Sequence, residues 1–202
     1  MIVLGLTGSI GTGKTTTAAM FRDRGVPVYD ADATVHDLYT KEAVQPVAAR
    51  FPEALADGII DRKILSSLLA QSPARFAELE AIIHPLVRAR ETAFLDAERR
   101  NGSPLVLLDI PLLYETGGEA RIDRVVVVTC DAEIQRQRVL ARPGMTEEKF
   151  QLILSRQMPD AEKRKRADFL IDTGKGLEAA RKQVEEVIRT IMDSVNDKER
   201  RD

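Results

Sequence analysis

Gly8-Ser-Ile-Gly-Thr-Gly13-Lys14-Thr15 fits the pattern G-x-x-x-x-G-K-[ST], and each residue type in it has a chemical use. Glycines let the backbone N–H groups from Gly11 to Thr16 turn toward the α- and β-phosphates of a nucleotide at the positive end of a helix. A side chain in their place would crowd that approach. Lys14 is suited to spanning the β- and γ-phosphates as a point charge, and the Thr15 hydroxyl to ligating Mg²⁺. With glycine near 7% of residues, chance would produce the string in roughly one chain in a hundred of this length, before a flanking strand and helix are required. Here both flanks are present, with the apolar run 2–7 before the motif and a helical pattern after it.

A phosphate loop specifies a nucleotide, not a reaction. The Asp-x-x-Gly and Asn-Lys-x-Asp strings of switch GTPases do not occur. A phosphoryl acceptor needs a carboxylate beside its hydroxyl, and Asp30-Ala31-Asp32 offers two at the end of a short apolar run. Asp32 is assigned to orienting the hydroxyl and accepting its proton; Asp30 has a second reading as the cap of the helix that begins near Ala33. Leu105-Val-Leu-Leu-Asp109 has the form of a strand ending in a carboxylate for the Mg²⁺ shell. Pro111, Leu112 and Leu113 then form either an apolar wall for the acceptor or simple packing at a strand end. Arg138 and Arg142, four apart, share a helix face if the helix persists that far, and would reach transferring phosphate oxygens on closure.

These residues need a scaffold. Apolar runs predict parallel strands at 2–7, 26–29, 104–109, 124–129 and 169–172, with helices at 15–24, 131–141 and 177–195 between or after them. That is an α/β chain whose ligands belong at the carboxyl ends of the strands. About 74 residues separate the second and third strands, far more than one crossover helix requires, so an insertion lies there. Its helical periodicity falls at 43–51, 62–69, 73–83 and 86–100. Pro85 suits the first turn of the last of these, which places Arg88 one turn in. The zone 138–166 holds eight basic residues, Lys163 among them, around Pro143-Gly144, and reads as a mobile lid or as the solvated faces of two surface helices. The tail 193–202 reads as frayed.

Thirty basic against 32 acidic residues give a net charge of −2, without the basic field that nucleic-acid binding requires. One cysteine, Cys130, and two histidines, His36 and His84, cannot build a disulfide framework or a zinc site, and suit a reducing cytoplasm. No apolar run approaches the roughly 20 residues that span a bilayer, and the N-terminal run lacks the charged start of a signal peptide.

Taken together, Gly5-Leu-Thr-Gly-Ser-Ile-Gly-Thr-Gly-Lys-Thr15, Asp30-Ala-Asp32 with His36, His84-Pro85-Leu-Val-Arg88, Asp109-Ile-Pro-Leu-Leu-Tyr-Glu115 and Arg156-Gln-Met158 resemble the dephospho-CoA kinases, in order, from residue 2 to about 180. The resemblance implies a P-loop NTPase fold: a five-stranded parallel sheet with crossover helices, a helical acceptor-binding insertion at 36–100 and a lid at 138–166, all in one kinase domain. It implies transfer of the γ-phosphoryl group of ATP to the ribose 3′-hydroxyl of dephospho-CoA, the last step of coenzyme A synthesis, with Mg²⁺. By the same resemblance, ATP contacts fall to Gly11, Thr12, Gly13, Lys14, Thr15, Thr16, Arg138, Thr173 and Gly174. Acceptor contacts fall to Thr7, Asp30, Asp32, His36, His84, Arg88 and Pro111 to Leu113. Catalysis falls to Asp32, Lys14 and Arg142, and the metal to Thr15 and Asp109. Thr173-Gly-Lys-Gly176 departs from the family's Asn-x-Gly turn, so the adenine contacts stay open. Nucleoside and nucleoside-monophosphate kinases share the core; the long insertion favours the larger coenzyme. A regulator without an acceptor is the rival of another class, and Asp32 and the lid arginines speak against it.

Overall fold

The computed structural model describes residues 1–72 and 74–199. Pro73, the expected start of one helix, and residues 200–202 of the expected tail lie outside them. The chain divides into two compact units, Met1–Tyr29 with Glu98–Asp202, and Asp30–Ala97.

The first unit is built on the strands β1 (Ile2–Gly8), β2 (Val28–Asp30), β5 (Leu105–Asp109), β6 (Arg124–Thr129) and β7 (Phe169–Asp172). They form one sheet in the order β2-β5-β1-β6-β7, with β1 parallel to both neighbours and β6 parallel to β7. This is the P-loop α/β fold that the apolar runs predict, and its strands are near-continuously apolar because the sheet is covered on both faces. The second strand starts two residues later than predicted. Pro27 has no N–H for the ladder, although its carbonyl still accepts from Leu107 N (2.9 Å). Leu4 and Leu6 of β1 and Val126 and Val128 of β6 pack against Ala18, Met20 and Phe21 of α1 (Lys14–Asp23) and against Ala180, Val184, Val187 and Ile191 of α9 (Leu177–Glu199). Because α9 is helical through Glu199, residues 193–199 of the expected frayed tail are ordered helix.

The segment between β6 and β7 carries α6 (Ala132–Leu140), α7 (Glu147–Ser155) and α8 (Asp160–Arg166). Each of the first two starts on a side-chain cap: Asp131 accepts from Glu133 N, and Thr146 from Lys149 N.

The second unit contains α2 (Ala31–Leu38), α3 (Val44–Arg50), α4 (Arg62–Gln71) and α5 (Arg75–Arg100), joined around a core of Leu38, Val47, Phe51, Leu65, Leu69, Leu79 and Ile83. It differs from the purely helical expectation in two places. A hairpin pairs β3 (Leu55–Ala56) with β4 (Ile59–Ile60) across Asp57-Gly58, both at positive φ (50° and 80°), as a type I′ turn demands. And α5 is one helix, not two, with Pro85 inside it. Proline removes one N–H and crowds the carbonyl four residues back, at Ala81. Ala81 is exposed, so water can satisfy that carbonyl, while Leu79 and Ile83 before the proline and Leu86 and Val87 after it carry one apolar stripe through the site.

Candidate active site

The loop Ser9–Gly13 leaves the carboxyl end of β1 and turns into α1. Gly11 has φ 80° and packs so closely against α6 that a Cβ would collide with the Val139 side chain; Gly13, at φ 96°, is the left-handed cap of α1. Inside the loop, Ser9 O accepts from Thr12 N (3.2 Å) and from Thr12 Oγ1 (2.9 Å). From outside, the Thr173 hydroxyl donates to Thr12 O (2.6 Å), Gln135 Nε2 donates to Ile10 O (2.7 Å), and Gln157 Oε1 accepts from Ile10 N (3.0 Å). Peptide planes carry C=O and N–H on opposite sides. Carbonyls held outward therefore turn the next N–H groups, those of Gly11 and Gly13, toward the interior of the loop. With the unpaired first-turn N–H groups of α1 they form an anion-binding cradle.

At the mouth of this cradle, Lys14 Nζ lies 2.5 Å from Asp109 Oδ1. Pairing of β1 with β5 sets Leu6 level with Asp109, which brings that buried carboxylate to the carboxyl edge of the sheet. Thr15 and Thr16 are exposed in the first turn of α1. A hydroxyl at Thr15 and a carboxylate at Asp109 are hard oxygen donors that suit Mg²⁺, which is bound through few protein ligands plus phosphate and water.

Beside the loop is a cavity of about 280 Å³ lined by Gly11, Gly13, Thr16, Thr17, Arg138, Arg142, Thr173 and Gly176, among others. The condition that Arg138 and Arg142 share a helix is not met, since α6 ends at Leu140. Arg142 nevertheless folds back on the last turn, with its N–H on Val139 O (3.1 Å), and both arginines line this one cavity. Their states differ. Arg138 is held by Thr173 through Nη1 to Oγ1 (2.8 Å) and Nη2 to O (2.9 Å), whereas the exposed Arg142 guanidinium has no partner among the described residues. Gly174 N is taken by Asp172 Oδ1 (2.8 Å). Cys130 adjoins this turn, and burial pushes its thiol up, which keeps it protonated at neutral pH.

Two expected acceptor contacts of this unit are relocated by burial. Thr7 is fully buried and its hydroxyl donates to Pro111 O (2.9 Å), so it holds the turn after β5 from behind instead of facing a ligand. Leu113 is core, packed on Gly5 and Gly118, whereas Leu112 is exposed and Pro111 half-buried. Lys163, expected among solvated lid charges, is 0% exposed, and its ammonium lies 2.8 Å from Glu115 Oε1 in an ion pair without hydrogen-bond alignment. Glu115 Oε1 also accepts from Met158 N (2.8 Å), tying the turn after β5 to the segment before α8.

In the second unit, Asp30 ends β2 and caps α2, accepting from Ala33 N (2.8 Å). Asp32, in the first turn of α2, is exposed and has no hydrogen bond or ion pair among the described residues. His36 Nδ1 receives Arg62 Nη1 (2.9 Å); a guanidinium can only donate, so the imidazole proton sits on Nε2. His84 and Arg88, four apart on the continuous α5, share one exposed face. Arg90 is held by Glu42 and Asp37.

Sequence reasoning missed Gln135, Gln157 and the structural use of the Thr173 hydroxyl. Only Gln157 lay within a quoted string, Arg156-Gln-Met158, and nothing in that string says what its amide would hold.

Comparison with known proteins agrees with this geometry. The family model described as dephospho-CoA kinase matches residues 2–178. A dephospho-CoA kinase of Agrobacterium fabrum is 59% identical over 191 residues, which is 95% of this chain and 98% of that one. Among solved structures, TT1252 from Thermus thermophilus superposes with a TM-score of 0.82 at 35% identity, over 94% of this chain and 96% of that one. The dephospho-CoA kinase from Campylobacter jejuni gives 0.74 at 25% identity, over 95% and 98%. A phosphate loop caged from three sides, an arginine on its cavity with no partner among the described residues and a match running almost the whole length of the chain lead to one assignment: the chain belongs to the dephospho-CoA kinase family.

Proposed function

We propose that this chain transfers the γ-phosphoryl group of ATP to the ribose 3′-hydroxyl of dephospho-CoA, giving CoA and ADP. The observation that carries the reading is the caged loop, whose inward N–H groups and Lys14 supply fixed positive charge where β- and γ-phosphates would lie. Asp32 orients the 3′-hydroxyl and takes its proton as the oxygen attacks phosphorus, a role open to it because no other group among the described residues occupies its carboxylate. Asp30 keeps the helix start in place. Arg142 meets the transferring oxygens, and Arg138, fixed on Thr173, lies along the nucleotide. Lys14 bridges the β- and γ-phosphates while the bond to the leaving oxygen breaks.

Mg²⁺, when bound by Thr15 and Asp109, would neutralise β- and γ-oxygen charge. His84 and Arg88 present donors that suit the acceptor's anionic or ribose groups, with Pro111 and Leu112 as the apolar wall. The Arg62 contact occupies His36 Nδ1, which leaves Nε2 to hydrogen-bond the acceptor. Residues 36–100 act as the acceptor region and 138–166 as the lid. None of the described helices is long and apolar enough to cross a membrane; one cysteine fits a reducing cytoplasm, and the net charge of −2 fits a small-molecule substrate better than a polyanion.

The test is product analysis by ³¹P NMR with ATP and either dephospho-CoA, AMP, dTMP or pantothenate. A new 3′-phosphomonoester matched by ADP, with dephospho-CoA strongly preferred, is the expected result. ADP release that is indifferent to the acceptor would reject the proposal.

A further inference from the structure

Ile10 sits in the middle of the phosphate loop, yet its peptide groups are satisfied by neither the loop nor the sheet. Gln135, on α6, donates to its carbonyl, and Gln157, just past α7, accepts from its N–H. One glutamine precedes and the other follows the segment 138–156, which carries Arg138, Arg142 and α7. Both roots of the arginine-bearing arm therefore grip the same loop residue. Gln135 is buried, and its own backbone carbonyl stands against Gly11 where a Cβ would lie 3.1 Å away.

The directions of the two bonds matter. Holding Ile10 O outward turns the Gly11 N–H to the opposite side, into the cradle. Holding Ile10 N–H outward turns Ser9 O inward, where it accepts from both Thr12 N and Thr12 Oγ1. Releasing either glutamine frees a peptide plane of the loop and a root of the arm at once.

We infer that Gln135 and Gln157 are positioning residues that couple the phosphate loop to the arm bearing Arg142, so that the aim of the loop N–H groups and the placement of that arginine are set together. Neither side chain needs to touch ATP. The inference rests on the reading of Gly11–Thr16 as the ATP phosphate loop and of Arg142 as a γ-phosphoryl contact.

A double-mutant cycle on kcat in the full chain tests it. Gln157→Met keeps length and removes the acceptor; alone it lowers kcat/KM for ATP about 10-fold and leaves KM for dephospho-CoA within about 2-fold. In that background Arg142→Ala costs several-fold less than it does in the parent, because the arginine is already misplaced. Gln157→Glu retains an acceptor for Ile10 N–H and restores the full Arg142→Ala effect, even where its charge weakens ATP binding. Strict additivity in the Met background, or equal losses for both substrates, overturns the inference. If Gln157→Met does not fold, the Arg142→Ala cycle on Gln135→Met decides by additivity alone, because Gln135 donates to Ile10 O and a glutamate in its place could not restore that bond. Lys14→Ala separates the two levels: its inactivity beside an additive cycle rejects only the coupling, whereas normal turnover of folded Lys14→Ala rejects the phosphate-loop reading itself.

Discussion

Replacing Thr173 by valine exchanges a hydroxyl for a methyl at nearly constant volume and leaves the turn after β7 its shape. Three hydrogen bonds go: the donation to Thr12 O at 2.6 Å, the longer one to Thr129 O at 3.4 Å and the acceptance from Arg138 Nη1 at 2.8 Å. They are not equal. Arg138 keeps its bond to Thr173 O and is half-buried, so Nη1 can find water. Thr12 is 1% exposed, so its carbonyl is left as a buried acceptor without a donor, which costs about 1–3 kcal/mol. For a chain of this size each kcal/mol lowers Tm by roughly 2–4 °C, so a fall of about 2–12 °C is expected by differential scanning calorimetry. The same bond fixes the Thr12–Gly13 peptide plane, and a loosened Gly13 N–H is a weakened phosphate donor. KM for ATP should rise about 5- to 20-fold, the value of one charge-assisted hydrogen bond partly lost, while KM for dephospho-CoA stays within about 2-fold. Thr173→Ser retains the hydroxyl and should lie close to the parent in both measurements. An unchanged Tm with an unchanged KM for ATP would refute the cage; a fall in Tm with both KM values raised alike would show general loosening instead.

Arg142→Ala should lower kcat by about 10- to 100-fold and raise KM for ATP far less, because on the proposed reading a guanidinium with no partner among the described residues would meet the phosphoryl group selectively in the transition state; a change confined to KM would place it in ground-state binding. In the second unit, a hydrogen bond from Arg50 holds the Glu78 carboxyl below the ordinary glutamate range, and one from Arg90 does the same to Glu42. A depressed folded pKa stabilises fully above the unfolded value of about 4.3 and is lost as pH falls through the folded one, so Tm should decline as pH falls below that unfolded value. Arg50→Met should reduce the Glu78 share of that decline, and an identical Tm–pH profile would deny the pair any part in it.

The strands were legible because burial on both faces leaves a sheet strand with little but valine, leucine and isoleucine, as in Leu105-Val-Leu-Leu and Val125-Val-Val-Val. The phosphate loop was legible because its chemistry is local: glycine, lysine and threonine at fixed offsets. The hairpin at Asp57-Gly58 left a signal, an Asp-Gly pair between apolar residues, in the stretch that the helical periodicities at 43–51 and 62–69 leave unassigned. Pro85 misled because a proline is more often a boundary than an interior residue, and only the unbroken apolar stripe of Leu79, Ile83, Leu86 and Val87 tells the two apart. Lys163 and the two glutamines could not be read at all. A lysine in a run of charges carries no mark of being buried on Glu115, 48 positions before it in the chain, and a glutamine gives no sign of a backbone partner 125 or 147 residues away. Such contacts are products of topology, which sets which distant segments meet, and not of local propensity.

The central claim is that Asp32 is the group that prepares the acceptor hydroxyl, and the most direct measurement is kcat of Asp32→Asn beside that of Asp30→Asn. An asparagine at 32 can still accept one hydrogen bond but cannot take the proton or stabilise a polarised oxygen, so kcat should fall by roughly 100-fold or more while both substrates bind within a few-fold of the parent. An asparagine at 30 keeps the oxygen that caps α2 and should leave turnover nearly intact, with at most about 1 kcal/mol of stability lost. Full activity of Asp32→Asn, with or without loss in Asp30→Asn, would contradict the account.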